Sequence, residues 1–420
     1  MSISKPVIPL LWLAGALGAT MLVYQGWDMM IDENEPMLQG HDDTGYFVWL
    51  HSWVLDGDND LANNLTELPT ISDDVRELWL TRIHPTTGKV LNKYPVGWAL
   101  MNWPVYQGVY SVHGLFSDEA TGIEPIYWVG IWSFQLLIAL LSLVITYCLL
   151  KRFFDSATSQ WSLLVIWLAS PLLYYQTSRL GLAHNQAYFL TVVLVWLSFK
   201  LKNDSRWHYW LLMGATSGML LITRPTSVCY LVIPAWTCLQ LLATHFRSEF
   251  KHLCVGVIAG TIPVLFQMWI WKEVYGGWLV FSYYGEPFYF SSPAILDSLL
   301  SDRHGLFNWH PLLLIGCVGW IIGTFRARQF PVSWLVSFIA ILYLNSAWWS
   351  WWFGSSFGNR AYEGAIFFFI AGFGYLHNSS KDSPMGAMLL QSSAWIAIIW
   401  NIYLLSQYVG SQFDRSLPVT

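Results

Sequence analysis

The chain has 420 residues, of which 55% are hydrophobic and 11% are charged, and its formal net charge is −5. Soluble globular proteins carry about 25% charged residues, so the composition excludes an ordinary soluble protein and favours a polytopic membrane protein. The negative charge also argues against nucleic-acid binding. The five cysteines lie in apolar segments without paired or metal-binding spacing, so we expect no disulfide framework.

Apolar segments near the roughly 20 residues that a transmembrane helix needs recur along the whole chain. They predict an all-α polytopic membrane protein with one domain (1–420). The roughly eleven predicted spans are 7–27, 126–150, 158–176, 186–201, 207–223, 226–243, 253–271, 306–324, 330–348, 362–377 and 385–408. The first segment is alternatively a signal peptide, but its apolar stretch exceeds the usual 7–15 or so residues. We therefore expect an uncleaved first span.

The basic residues orient these spans. If the N-terminus is cytoplasmic, eleven Lys and Arg residues lie in the inner loops. The short outer loops and the tail then hold only Arg179, Arg224, Arg360 and Arg415. Because Lys and Arg are retained on the cytoplasmic side, we expect this orientation. It places two long loops outside, at 28–125 and 272–305.

The first outer loop is acidic and partly apolar. Sixteen Asp and Glu residues lie between Asp28 and Glu124, against four Lys and Arg residues. A loop of this length is unusual without structure of its own. Within it, Tyr46, Phe47, Leu50, Trp53 and Val54 recur at helical spacing and predict an amphipathic helix on the membrane surface.

A second apolar stretch in this loop, residues 94–116, is interrupted by Pro95, Gly97 and Pro104. Counting it as a twelfth span would move the following Lys151 and Arg152 to the outer side. We therefore expect it to be interfacial or re-entrant.

Two adjacent aspartates, Asp42 and Asp43, begin the predicted surface helix. A carboxylate in such a low-dielectric position is expected to have a raised pKa and to serve as a general base. The alternative is structural: Asp42 caps the helix, and the helix dipole favours Asp43 in the first turn.

A second acidic cluster follows in the sequence DGDND at residues 56–60. Its alternating aspartates resemble a miniature calcium loop, but the glycine and glutamate of an EF-hand are missing. The alternatives are a turn rich in Asp, Gly and Asn that shapes the loop, or a contact to the acceptor.

The segment Asp42-Asp43-x-x-Tyr46 resembles the acidic motif of the GT-C-type glycosyltransferases, in particular the protein-O-mannosyltransferase and aminoarabinose-transferase-like branch. The second motif position is usually Glu, and here it is Asp43. Further segments resemble the same proteins in the same order: LDGDNDLANN (55–64), NKYPVGWALMNWPVY (92–106), YYQTSRLGLAHNQAYFL (174–190), GMLLITRPTS (218–227), RHGLFNWHPLLLI (303–315) and WWSWWFGSSFGNRAYEG (348–364).

The resemblance implies transfer of a sugar from a polyprenyl-phosphate donor to a hydroxyl acceptor, which is a glycan, a lipid or a protein. Such a reaction needs a carboxylate near the anomeric carbon and cations for the leaving phosphate. Asp42 is the first candidate for the base and Asp43 the second. The candidates for substrate binding are Tyr46, Lys93, Tyr94, His184, Arg224 and Arg360.

Structural alternatives exist for several of these residues. Arg224 and Arg360 at outer span ends either bind phosphate or pair with Glu363 or another neighbour. His184 is either a phosphate contact or a satisfied interfacial residue. Aromatic residues of the second outer loop, such as Tyr283 and Tyr289, predict a lid, although any interfacial loop has this composition.

A metal requirement stays open. His41, His51 and His84 are candidates to join Asp42 or Asp43 around a divalent metal, but their spacing matches no strong metal site. No other cofactor is expected.

The segments are most similar to bacterial proteins, which implies an undecaprenyl-phosphate donor and a site on the outer face of the inner membrane. Two alternatives compete with the enzyme: a transporter or flippase of lipid-linked sugars, and a non-catalytic subunit of an envelope glycan assembly. Transporters tend to place ionisable groups at mid-membrane and to contain internal repeats. Here the charges lie at span ends.

Overall fold

The computed structural model describes residues 8–31, 38, 40–68, 73–117 and 120–413, and in these ranges the regular structure is helical. Arg415 and the acidic residues within 32–35 and 118–119 lie outside the described residues. Two 3₁₀ helices span Pro225–Leu231 and Arg360–Ala365. The α-helices are α1 (Ile8–Ile31), α2 (His41–Leu55), α3 (Ala62–Glu67), α4 (Asp73–Leu80), α5 (Gly97–His113), α6 (Pro125–Leu150), α7 (Ser156–Leu168), α8 (Leu172–Thr177), α9 (His184–Asn203), α10 (Trp207–Thr223), α11 (Val232–Tyr275), α12 (Ile295–Leu300), α13 (Leu306–Trp309), α14 (Pro311–Phe325), α15 (Val332–Ala347), α16 (Ile366–Ser379) and α17 (Pro384–Phe413).

Among the described residues, three helices are long and apolar enough to cross a membrane: Pro125–Leu150, Pro225–Tyr275 and Pro384–Val409. Shorter apolar helices lie at Pro9–Tyr24, Pro311–Phe325 and Val332–Ala347. The all-α membrane architecture is therefore confirmed, whereas the predicted count of about eleven spans is not.

Three predicted spans differ from single straight helices. The segment 158–176 breaks between α7 and α8 at Pro171, whose ring nitrogen has no proton to donate to a helical hydrogen bond. The segments 226–243 and 253–271 join in α11, but the backbone of His245 is non-helical (φ −139°, ψ 51°). This break divides α11 into two helical halves at the place where the sequence predicts an inner loop.

Glycines bring α10 and the second half of α11 into backbone contact. Gly214 and Gly218 on α10 face Gly256 and Gly260 on α11, and a Cβ at either α10 position would overlap a carbonyl oxygen of α11. Such pairs of small residues allow transmembrane helices to approach closely. The contact holds the C-terminal part of α10, which ends just before Arg224, against the rest of the bundle.

The first loop forms a second packed core with the outer part of the bundle. α2 is not the predicted surface helix, because all residues from 43 to 52 are buried. The centre of the Phe47 ring lies 4.5 Å from that of Trp128 on α6 and 5.8 Å from that of Tyr106 on α5. The apolar residues of α2 therefore face protein on several sides, and this burial carries Asp43 out of bulk solvent while Asp42 stays partly exposed.

The DGDND segment is a turn that shapes the loop after α2. Asp56 accepts hydrogen bonds from the side chains of Asn63 (3.0 Å) and Asn64 (2.7 Å). Asp58 accepts from the Ser52 hydroxyl (3.1 Å) and from the backbone N–H of Asp60 (2.9 Å). These bonds support the turn rather than the calcium loop.

We predict that Gly218→Ala destabilises the fold, because the added methyl group overlaps the Gly260 carbonyl and forces α10 away from α11. The expected loss is about 1–3 kcal/mol of unfolding free energy, measured by thermal unfolding in detergent. Gly108→Ala on α5 is the matched control, because nothing lies within 4 Å of its added Cβ. Equal unfolding temperatures for the two variants would contradict the close helix contact.

Candidate functional site

A cavity of about 530 Å³ opens at the N-terminus of α2. Its wall combines parts of the first loop, the segment around α8, the approach to the 3₁₀ turn 360–365, and the end of α17. The lining residues are Gly40, His41, Asp42, Asp43, Trp79, Arg82, Lys93, Tyr94, Tyr174, Tyr175, Arg179, Leu182, Gly354, Ser355, Arg360 and Tyr408. Of the predicted site residues, Asp42, Asp43, Lys93, Tyr94 and Arg360 meet here.

Asp42 is held by both of its carboxylate oxygens. Arg360 Nη2 lies 2.9 Å from Oδ2, and the Tyr94 hydroxyl donates to Oδ1 at 2.6 Å. Gly45, one turn along α2 from Asp42, makes room for the Tyr94 ring, because a Cβ there would overlap it. The small residue on α2 thus allows the tyrosine to reach the aspartate.

The pKa of Asp42 falls from 3.8 to about 2. Burial alone would raise this pKa, but the Arg360 guanidinium and the Tyr94 hydrogen bond more than offset burial. The sequence-based expectation of a raised pKa is therefore wrong, because it considered the low-dielectric surroundings and not the arginine that the fold supplies.

Asp43 makes the parallel pair one residue further on. Its Oδ2 lies 2.9 Å from Arg179 Nη2, and its side chain is only 6% exposed. Arg179 was counted in the sequence only as an outer cation, although it lines the cavity. Its place in a predicted outer loop, where arginine is disfavoured, is the sequence signal that could have identified Arg179 as a cavity residue.

His184 and Arg224 meet beside this cavity rather than on its wall. Both contact the carboxylate of Glu363, which is 2% exposed: His184 Nδ1 touches Oε1, and Arg224 Nη1 lies 3.6 Å from it. The predicted alternative of pairing with Glu363 therefore holds for Arg224. Glu363 itself is a buried charged residue that sequence reasoning named only as a pairing partner.

One 3₁₀ turn presents both Arg360 and Glu363. Residues three apart on such a helix lie on the same side, so the turn Arg360–Ala365 directs one side chain to Asp42 and the other to His184 and Arg224. Gly358, with φ +64°, precedes the turn, and a Cβ there would overlap the His310 ring. The glycine permits the sharp approach that places Arg360.

Lys93 and Tyr46 support the cavity from the first loop. The Lys93 ammonium pairs with Glu286 and lies 5.5 Å and 5.2 Å from the ring centres of Tyr94 and Tyr283. Tyr46 is buried on α2, with its ring 5.1 Å from that of Tyr94. Tyr46 therefore lies behind Tyr94 instead of lining the cavity.

The second outer loop packs along the rim next to Lys93. The Ser282 hydroxyl donates to the Lys93 carbonyl at 2.8 Å, and the Tyr275 hydroxyl donates to the Asn92 carbonyl at 2.9 Å. Tyr284 is 93% exposed and points away. The predicted lid stays a prediction, and the contacts place Tyr283 rather than Tyr284 on its inner side.

Two of the three histidines predicted as metal candidates have other partners. The ring nitrogens of His51 contact the Thr121 carbonyl (3.0 Å) and the Asn64 amide (2.9 Å). His84 Nδ1 accepts from the Thr87 backbone at 3.3 Å. Within the described part of the chain, no three His, Cys, Asp or Glu side chains group as a metal site would require. The cysteines in this part are unpaired.

Residues 127–271 match the family model described as dolichyl-phosphate-mannose-protein mannosyltransferase. The match confirms the resemblance to GT-C-type glycosyltransferases and, with it, the prediction of a membrane glycosyltransferase of that type. It covers less than half of the chain, includes His184 and Arg224, and leaves out Asp42. Searches of curated proteins and of solved structures gave no match.

The lowered pKa of Asp42 has a consequence for stability. Because Asp42 ionises more readily in the folded state, its ion pair stabilises the fold above pH 3.8, and this stabilisation is lost as the pH falls towards about 2. Asp42→Asn should therefore lower the unfolding free energy by about 2 kcal/mol near neutral pH. Thermal unfolding of both proteins should show this difference shrinking below pH 3.8. Asp60→Asn, in an exposed position, is the control, and a difference independent of pH would argue against the ion pair.

Proposed function

We propose that the chain transfers a sugar from a polyprenyl-phosphate donor to a hydroxyl acceptor on the outer face of the membrane. The observation that carries the proposal is the Asp42–Arg360 pair on the cavity wall. An ionised carboxylate stabilises the oxocarbenium-like carbon that forms as the sugar leaves the phosphate. A guanidinium next to it suits the phosphate that departs.

The charge of the cavity favours an anionic donor. Four cationic side chains line it, Arg82, Lys93, Arg179 and Arg360, against the two carboxylates of Asp42 and Asp43. A cleft with an excess of one charge raises the local concentration of ligands of the opposite sign. Arginine also binds phosphate through two parallel hydrogen bonds. These properties support a lipid phosphate as the group that binds here.

The size and the aromatic walls of the cavity suit the headgroup of such a donor. A volume of about 530 Å³ lies within the roughly 300–1,000 Å³ of small-molecule sites. Trp79, Tyr174, Tyr175 and Tyr408 offer ring faces and polar edges to a sugar. The cavity would hold the sugar and the phosphate, while the polyprenyl chain extends into the bilayer.

The proposed reaction forms one bond and breaks one at the anomeric carbon. The acceptor oxygen bonds to this carbon, and the bond from the carbon to the phosphate oxygen breaks with its electron pair on the phosphate. A carboxylate with a pKa of about 2 is a weak proton acceptor near neutral pH. The role of Asp42 is therefore electrostatic: it stabilises the carbon centre and orients Arg360.

The other residues hold this arrangement. Asp43 orients Arg179 towards the phosphate, and Tyr94, supported by Tyr46, keeps Asp42 in place. Lys93 supplies a further cation. His184 and Arg224 anchor the 3₁₀ turn that carries Arg360, through their contacts with Glu363.

The proposed location is the inner membrane of a bacterium, with a cytoplasmic N-terminus and the cavity outside. The distribution of Lys and Arg and the similarity of the segments to bacterial proteins support it. The donor would then be an undecaprenyl-phosphate sugar, and the acceptor a glycan, a lipid or a protein.

Asp42→Asn should lower the rate of transfer by about 10²- to 10⁴-fold, because the neutral amide neither stabilises the carbon centre nor orients Arg360. The purified protein is supplied with undecaprenyl phosphate carrying different hexoses and with membrane extract as acceptor, and release of undecaprenyl phosphate is followed. Asp60→Asn, outside the cavity, should release it at the wild-type rate.

Transfer by Asp42→Asn at the wild-type rate would refute the role of Asp42. Lipid-linked sugar crossing the membrane without release of undecaprenyl phosphate would instead indicate a flippase. A wild-type protein that shows neither activity would point to a non-catalytic subunit.

The proposed orientation predicts that a cysteine at the turn after α2 faces the outside. Asp58→Cys, in a protein whose native cysteines are replaced, should react with a membrane-impermeant thiol reagent in intact cells. Labelling of Asp58→Cys only after lysis would reverse the orientation. Arg326→Cys, in a predicted inner loop, serves as the opposite control and should react only after lysis.

A further inference from the structure

The proposed transfer leaves one chemical requirement without a residue. A hydroxyl acceptor must lose its proton as it attacks the anomeric carbon, and a positioned base accelerates this step. Such a base needs a free lone pair on the cavity wall near neutral pH.

The carboxylates and the cations of the cavity wall do not meet this need. Both oxygens of Asp42 are engaged by Arg360 and Tyr94, and Asp43 is buried against Arg179. The Lys93 ammonium pairs with Glu286. The arginines keep their protons at any working pH. The Tyr94 hydroxyl donates its hydrogen bond to Asp42.

His41 differs from these groups in position and in partners. It is the first residue of α2, next to Asp42, and it lines the cavity with an exposed side chain. Within the described part of the chain, its ring makes no hydrogen bond. An imidazole on this wall therefore has a nitrogen lone pair free for an incoming hydroxyl.

The charges that face His41 come from two directions. Arg82 and Lys93 of the first loop are the cations, and Asp42 and Asp43 of α2 are the anions. Partial burial of the ring against the cavity wall, followed by Arg82 and Lys93, lowers the pKa of His41 below 6.5, and the two carboxylates only partly oppose this. The ring is therefore mostly neutral at pH 7 and has a lone pair to offer.

We propose that His41 is the proton acceptor of the transfer reaction. Its neutral ring nitrogen takes the proton of the acceptor hydroxyl as the oxygen bonds to the anomeric carbon and the phosphate leaves with its electron pair. The imidazolium that forms lies beside Asp42 and Asp43, whose charges stabilise it until the proton passes to solvent through the exposed edge of the ring. This role rests on the proposed function.

His41→Gln should lower kcat by about 10²- to 10⁴-fold, the usual contribution of a general base. In the wild-type protein, kcat should decrease as the pH is lowered below 6.5, because His41 becomes protonated. The variant should not show this acid limb of the pH profile. Added imidazole should restore part of the rate to His41→Ala, because it can occupy the vacated space. The measurement is release of undecaprenyl phosphate from the same series of undecaprenyl-phosphate hexoses across pH.

His84→Gln is the matched control, because His84 lies in the same loop, is bonded to Thr87 and does not line the cavity. It should keep the wild-type kcat and pH profile. A His41→Gln protein with the wild-type kcat and acid limb, or with only a raised KM, would overturn the role of His41 while leaving the transfer itself established. Absence of release by the wild-type protein with every donor would overturn the proposed function and this role together.

Discussion

Two neighbouring carboxylates on the first turn of one buried helix determine much of the structure around the cavity. Taking a carboxylate out of water is costly unless an opposite charge and hydrogen bonds replace the lost hydration. Asp42 and Asp43 therefore each require an arginine, and they obtain Arg360 and Arg179 from distant parts of the chain. The turns that carry these arginines must meet at α2, which ties the first loop to the helical bundle.

The need to hold these two Asp–Arg ion pairs also determines which residues surround them. Gly45 leaves space for Tyr94, and Gly358 allows the chain to enter the turn that presents Arg360. Glu363, on the same turn, is itself buried and lies against His184 and Arg224. The site is thus a connected set of charges in which each buried ion is held by a neighbour. Such an arrangement is already oriented in the absence of a substrate, so the proposed transfer would need little reorganisation of these charges.

The sequence predicted which residues line the cavity better than it predicted their burial and their charged neighbours. Local signals were sufficient to select Asp42 and Arg360 as residues of the cavity, because adjacent aspartates and arginines at predicted span ends are conspicuous in a chain with so little charge. Lys93 and Tyr94 were selected through the resemblance of the segment 92–106. They were insufficient for the burial of α2, since periodicity shows the apolar face of a helix but not whether its polar face is covered too. The sign of the pKa shift of Asp42 and the part played by Arg179 depend on which charges meet across the fold, and no local pattern contains that information. His184 and Arg224 were separate candidates for substrate binding, and the fold brings both to Glu363 rather than to the cavity wall.

The glycine contact between α10 and the second half of α11 restricts which substitutions these helices can accept during evolution. At most positions in an apolar helix several residues of similar volume are interchangeable. At Gly214 and Gly218 a carbonyl of the facing helix occupies the space of any Cβ, so the smallest possible substitution is already too large. These positions can accept no neutral replacement unless the facing helix shifts at the same time, whereas the exposed leucines and isoleucines nearby are free to vary. The glycines at this helix contact should therefore be retained in distant homologues after most of the surrounding apolar residues have changed.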